Sequence, residues 1–174
     1  YADQYGFQVA YPAAIERAWN DGRSMSPGHK EIDDVGFINR LAGHLVDTFN
    51  ADPARLYLVG LAEGGMLAQR IACEDSRIFA AVATVNAAIP EPVAARCRPT
   101  APMPIMMIQG TSDPFVPFKG GESTHMGEPA GPVIGAFEAA EAWRRSNGCI
   151  GDVALERMLN FAPDEGSRVI DHRW

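Results

Sequence analysis

The chain has 174 residues, a length for one domain that can bury roughly two-thirds of the surface of its unfolded form. Hydrophobic residues make up 47% and charged residues 21%, the balance of a globular rather than a disordered chain. A formal charge of −7 argues against nucleic acid as a partner, because phosphate binding needs a basic surface. No apolar run reaches the ~20 residues of a membrane-spanning helix, and Cys73, Cys97 and Cys149 lack metal-ligand spacing, so no membrane and no metal are expected.

In chain order, Gly6–Tyr11 reads as a strand stopped by Pro12. The segment from Ala13 to Ile32 reads as a loop, long for a plain connector, holding Trp19-Asn-Asp-Gly-Arg23 and Pro27-Gly28. Trp19 and Arg23 are candidates for a substrate rim, weighed evenly against a simple turn at Asn20–Gly22. Asp33 or Asp34 offers an N-cap, and Ile38, Leu41, Ala42, Leu45, Val46 and Phe49 recur at helical spacing behind it. Leu56–Val59 reads as a buried strand, Met66–Cys73 as a helix, and Phe79–Val85 as a second buried strand. The stretch Asn86–Pro104, with prolines at 90, 92, 99, 102 and 104, reads as loop. Ile105–Gln109 is a third apolar strand, ending in Gly110-Thr-Ser-Asp113. Gly120–Pro132 reads as a Gly/Pro loop, Val133–Arg145 as a helix closed at Asn147-Gly148, and Arg168–Trp174 as a final strand. Strands without a polar face that alternate with helices predict a single α/β domain over 1–174, a mostly parallel sheet with helices on both faces.

The informative stretch is Leu56-Tyr-Leu-Val-Gly-Leu-Ala-Glu-Gly-Gly65. Strand, Gly-rich turn and helix have the form of a nucleophile elbow, G-x-S-x-G, which thrusts its central residue above the sheet. Gly60 and Gly64 hold the flanking positions because the backbone passes close there, but the central residue is Ala62, and a methyl group is no nucleophile. Asp113 follows the elbow at the end of a later strand, in the order nucleophile, acid, histidine. It therefore reads as an acid rather than as a plain turn residue. Gly110–Asp113 lacks the Lys of a phosphate loop, and neither nucleotide nor any other cofactor is expected.

Several blocks carry a resemblance: Trp19–Arg23, Asp33-Asp-Val-Gly-Phe37, Val59–Met66, Gly110-Thr-Ser-Asp-Pro-Phe-Val-Pro117 and Trp143–Cys149. In these the chain resembles the secreted polyhydroxybutyrate depolymerase and feruloyl-esterase-like branch of the α/β-hydrolases, over Ala2–Trp174. The resemblance implies a secreted ester hydrolase of three-layer α/β-hydrolase fold acting on a small or polymeric ester. In it position 62 is the nucleophile, Asp113 the acid, the Glu63 N–H an oxyanion donor and Val116 a lining residue of the acyl pocket. It also implies segments beyond both ends: a His-Gly oxyanion loop before Tyr1, and a Gly-Gly-His segment with the catalytic histidine after Trp174. Cys149 would pair within that tail, which leaves Cys73 to pair with Cys97.

Within the chain, His29 and His44 precede the elbow, whereas His125 and His172 follow Asp113 and satisfy the order. Both are candidate bases, although a solvated loop or strand histidine is the plainer reading of each. A central strand between Gly6–Tyr11 and Leu56–Val59, and an edge strand at the end, would be lacking. Unpaired strand edges then predict self-association. With Ala62 the expected form is an inactive esterase, or a binding or assembly domain built on the same frame.

Overall fold

The computed structural model describes residues 1–23, 31–151, 155–160 and 165–174. In chain order it holds α1 (Ala2–Tyr5), α2 (Asp34–Phe49), β1 (Tyr57–Leu61), α3 (Glu63–Glu74), β2 (Ala81–Val85) and α4 (Glu91–Ala94). Then come β3 (Ile105–Ile108), β4 (Gly121–His125), β5 (Glu128–Val133), α5 (Ala136–Ser146), β6 (Leu155–Leu159) and β7 (Val169–Arg173). β1, β2 and β3 form one parallel sheet in that order, with Leu61 opposite Val85 and Val85 opposite Ile108. Their carboxyl ends are therefore level, and this edge carries the residues of interest.

Local chemistry explains the helices. Asp33 caps α2 by accepting the Gly36 N–H at 2.8 Å, and Asn50 closes it in the left-handed conformation (φ 53°). Helix α3 is buried along most of its length, with Met66, Leu67, Ala68, Ile71, Ala72 and Cys73 in the core. Its one fully buried polar side chain, Gln69, accepts the Trp143 Nε1–H at 2.7 Å and reaches Thr84 Oγ1 at 3.4 Å. That pair of bonds ties α5 and β2 to α3 without leaving a buried amide unpaired.

Three expectations change. Gly6–Tyr11 is no strand: Gly6 (φ 66°) ends the single turn of α1, and Phe7, Val9 and Tyr11 are exposed with no ladder partner. Gly120–Pro132 is not a loop but the hairpin β4–β5, closed by Met126 and Gly127 at φ 51° and 88°, the primed-turn geometry that suits strand twist. Pro129 and Pro132 sit in a two-stranded ribbon whose outer edge needs no N–H. Among the described residues the helices do not cover both faces of the sheet. Val82 and Thr84 face the helical layer and are buried, whereas Tyr57, Val59, Leu61, Met106 and Ile108 on the opposite face are 51–71% exposed.

The final strand is present as β7, and it pairs antiparallel with β6, which the sequence pattern had not suggested. Cys73 and Cys97 form a disulfide between α3 and the segment after α4, as the resemblance implied, and Cys149 is free. No helix among the described residues is long and apolar enough to cross a membrane. The disulfide closes a loop of 24 residues. Its reduction is expected to lower stability by about 3 kcal/mol, read as a downward shift in the urea midpoint with and without reductant.

Candidate functional site

The site begins where β1 turns into α3. Ala62 lies between them at φ 49° and ψ −119°, a region that costs a non-glycine residue about 1–3 kcal/mol and persists only where the surroundings enforce it. The enforcement is visible: the Ala62 N–H donates to Val85 O at 3.0 Å, and its C=O accepts the Met66 N–H at 2.9 Å. A Cβ on Gly60 would run into the Gly64 carbonyl and lie 2.5 Å from Gly65 N. A Cβ on Gly65 would lie 2.5 Å from the Ala87 Cβ. The crowded glycines are thus 60 and 65, not 60 and 64, because the nearest atom to a Cβ on Gly64 is Trp19 Nε1 at 3.9 Å.

The neighbouring strand ends converge on this turn. Asn86, at φ 47° after β2, donates its N–H to Ile108 O at 2.8 Å and accepts the Gly110 N–H on Oδ1 at 3.1 Å. Asp113 stands on the turn after β3, half-buried, and its Oδ1 accepts the N–H groups of Phe115 (2.8 Å) and Val116 (2.9 Å). Val116 is buried in a small cluster with Met66, Ala87, Ala88 and Val133 beneath the turn. An apolar hollow of about 290 Å³ lies elsewhere, on the open sheet face between Tyr57, Val59, Ala83 and Met106.

Trp19 stacks on Phe37 with ring centroids 6.4 Å apart and packs against the main core. The rest of its motif is a buried polar knot. Arg23 Nη2 lies 2.6 Å from Asp21 Oδ2, with both side chains 1% exposed, and 3.2 Å from Glu63 Oε1. Arg23 Nη1 donates to Ser123 Oγ at 3.1 Å, which carries the knot to the hairpin. His125 Nδ1 meets the same Glu63 Oε1 at 2.7 Å. Burial pushes the Glu63 carboxyl above its ordinary range, against the pull of His125 and Arg23. Glu63 is also the first residue of α3, so its N–H has no partner within the helix.

His125 is thus beside the elbow, whereas His172 belongs to the β6–β7 ribbon. His172 Nδ1 is 3.5 Å from Glu156 Oε2, and its ring lies against Phe137 and Trp174. Among the described residues no histidine forms an ion pair with Asp113, and no cluster has the makings of a metal site. His29 and Pro27-Gly28 lie outside the described residues. Asp21, Ser123, Asn86 and the Glu63 carboxylate were not singled out from sequence. The two-residue spacing of Asp21 and Arg23 was the one available signal, since an acidic residue opening a helix reads as ordinary.

No protein-family model matches the chain, and no solved structure matches it. Among curated proteins it is similar to NocK of Nocardia uniformis subsp. tsuyamanensis, a protein named as an esterase, with 32% identity over 189 aligned positions covering 97% of this chain and 55% of that protein. It is 30% identical to feruloyl esterase B of Piromyces equi, over 78% of this chain and 25% of the relative. It is 28% identical to acetylxylan esterase A of Emericella nidulans, over 47% of this chain and 27% of the relative. The chain spans about half the length, or less, of these relatives, and all three are esterases by name.

The glycine geometry gives a direct test. Gly60→Ala is expected to destabilise by about 3 kcal/mol, because the obstructing atoms are backbone. Gly64→Ala is expected to be neutral or stabilising by up to about 1 kcal/mol, as a glycine replaced in a helix with room for the methyl. Urea melts of both variants decide whether Gly64 is dispensable where Gly60 is not.

Proposed function

We propose that the chain is the frame of a carboxylic ester hydrolase, of the polyester or feruloyl-ester type, that would act by Ser-His-Asp chemistry with serine at position 62. The observation that carries this reading is Ala62 itself. It sits strained on a strand-to-helix turn, with an orphan helix N–H from Glu63 beside it and Asp113 at the end of β3. Esterase relatives support ester hydrolysis in general.

In that chemistry a serine hydroxyl at 62 gives its proton to a histidine and attacks the ester carbonyl. The tetrahedral oxyanion takes a hydrogen bond from the Glu63 N–H, the alcohol leaves with the proton, and water then releases the acid. Asp113 is the acid by chain order, and His125 is favoured over His172 because it touches the residue that follows the nucleophile position. Trp19 fits a rim role over the first turn of α3, and Val116 supports the acyl side from beneath. Ala62 removes the attacking atom, a loss on the order of a million-fold in kcat, so the present form is inactive in covalent catalysis. Secretion fits the Cys73–Cys97 disulfide, since such bonds persist in oxidising compartments.

A second reading, a non-catalytic binding or assembly domain, is favoured by the open apolar sheet face and by the edges of β1 and β3, which pair with no further strand among the described residues. It predicts self-association through that surface. Light scattering across a concentration series should show a rising mass, which Val59→Lys should abolish; a constant monomer mass would remove this reading.

Ala62→Ser, assayed on short-chain nitrophenyl esters beside the parent, tests the first reading. Hydrolysis well above the parent is expected. Equal, background rates in both proteins would count against a hydrolase frame complete within this chain.

A further inference from the structure

Three strand ends stand in a row at the carboxyl edge, and the proposed chemistry involves the outer two, position 62 after β1 and Asp113 after β3. Between them lies Asn86, directly after β2. We propose that Asn86 is a positioning residue, which sets the span between position 62 and the turn that bears the Asp113 carboxylate. The catalytic meaning of this span rests on the ester-hydrolase reading; the mechanical link does not.

The link starts in the backbone. The peptide unit joining Val85 to Asn86 bonds to both neighbours: its C=O accepts the Ala62 N–H at 3.0 Å, and its N–H donates to Ile108 O at 2.8 Å. A peptide unit is planar and stiff, so one rigid plate fixes the separation of the two outer strand ends. The side chain then carries the link past the sheet. Asn86 Oδ1 accepts the Gly110 N–H at 3.1 Å, and the Gly110 C=O accepts the Asp113 N–H at 3.3 Å. A Cβ on Gly110 would lie 3.7 Å from Asn86 Oδ1 and 3.9 Å from Asp113 Cβ, so both side chains border the same side of Gly110. At the far end, Asp113 Oδ1 accepts the N–H groups of Phe115 and Val116, which orient the carboxylate.

The residue type fits this task on two counts. Asn86 stands at φ 47°, where glycine, asparagine and aspartate are the residues best tolerated. Glycine would adopt this conformation with less strain but offers Gly110 no acceptor. Aspartate would offer one, but it would add a second negative charge next to the Asp113 turn and draw on the same imidazolium during acyl transfer. The carboxamide supplies the conformation and the acceptor without the charge.

Amide hydrogen exchange on ¹⁵N-labelled protein reads the link directly. The buried Ala139 amide, bonded to Gly135 O within α5, is the internal standard, and Gly110→Ala assigns the Gly110 signal. Asn86→Gly removes the acceptor while relieving the backbone, so loss of the fold does not cloud the result. Relative to Ala139, exchange at Gly110, Phe115 and Val116 should quicken about tenfold, the worth of one such bond. Asn86→Asp keeps an acceptor and should exchange like the parent. Unchanged rates at Gly110 in Asn86→Gly, or a change that leaves Phe115 and Val116 as they were, would overturn the proposal.

In an Ala62→Ser background, Asn86→Gly should lower kcat by ~10–10²-fold with KM little changed, the scale of a small misplacement of a reacting group. Asn86→Asp should recover most of that loss. Full kcat in the glycine variant, or an equal loss in both, would overturn the positioning role. An inactive Ala62→Ser parent would instead sink the hydrolase reading, while exchange at Phe115 and Val116 still decides whether Asn86 holds the Asp113 turn.

Discussion

Everything at the carboxyl edge depends on two stretches of backbone touching. The end of β1 and the first turn of α3 meet at Gly60 and Gly65 with no room for a side chain at either, and Ala87 closes the third side. This contact forces Ala62 out of ordinary conformational space, since the chain must reverse from strand to helix within a single residue. The cost of the strain is met by the bonds on either side, to Val85 O and from the Met66 N–H, and by the burial of α3 behind it. A turn of this kind is rigid because it is over-determined. Rigidity is what an orphan N–H at residue 63 needs if it is to act as a fixed donor rather than a mobile one.

The second constraint is electrostatic. Asp21 and Arg23 are taken almost wholly out of water, which is tolerable only because each polar atom finds a partner. The knot spans three parts of the chain far apart in sequence, the loop at residues 19–23, the start of α3 and the hairpin β4–β5. Such a pair adds little net stability compared with apolar packing, but it punishes any other arrangement by stranding a buried charge. Its contribution is therefore one of specificity: it permits a single seating of the hairpin against the elbow. Arg70 adds to this by donating to Asn20 O at 2.8 Å from the middle of α3.

What the sequence revealed follows from how local each signal was. The cap at Asp33, the stop at Asn147-Gly148 and the strand–turn–helix at residues 56–74 are written in neighbouring residues, and all three were legible. Gly6–Tyr11 has strand-like residues, but a strand exists only through a partner, and none pairs with it among the described residues. The hairpin was hidden because its glycines and prolines look like loop, although the turn at Met126-Gly127 and the β5 bulge at Ala130-Gly131 need those glycines. Most of the site's electrostatics was illegible for a different reason. Arg23 and Ser123 are 100 residues apart, and no local pattern encodes a contact of that span. The placing of residues 62 and 113 at the carboxyl ends of β1 and β3 was readable from strand order, whereas the partner of His125 was not.

Helix α3 reconciles an open sheet with a well-placed site. Ala62 caps it and Glu63 opens its first turn, its middle carries Gln69 into the bonds with Trp143 and Thr84, and its last turn holds Cys73 of the disulfide. All of these contacts lie on the covered side of the sheet. The exposed side chains of Tyr57, Val59, Leu61, Met106 and Ile108 project from the other side. Leaving that face in water forgoes about 1.5–3 kcal/mol for each large side chain that a cover would bury. The cost falls on global stability, whereas the geometry of the edge is set by α3 and the knot. Covering or uncovering the open face should thus change how often the chain unfolds far more than where Glu63 and His125 stand when it is folded.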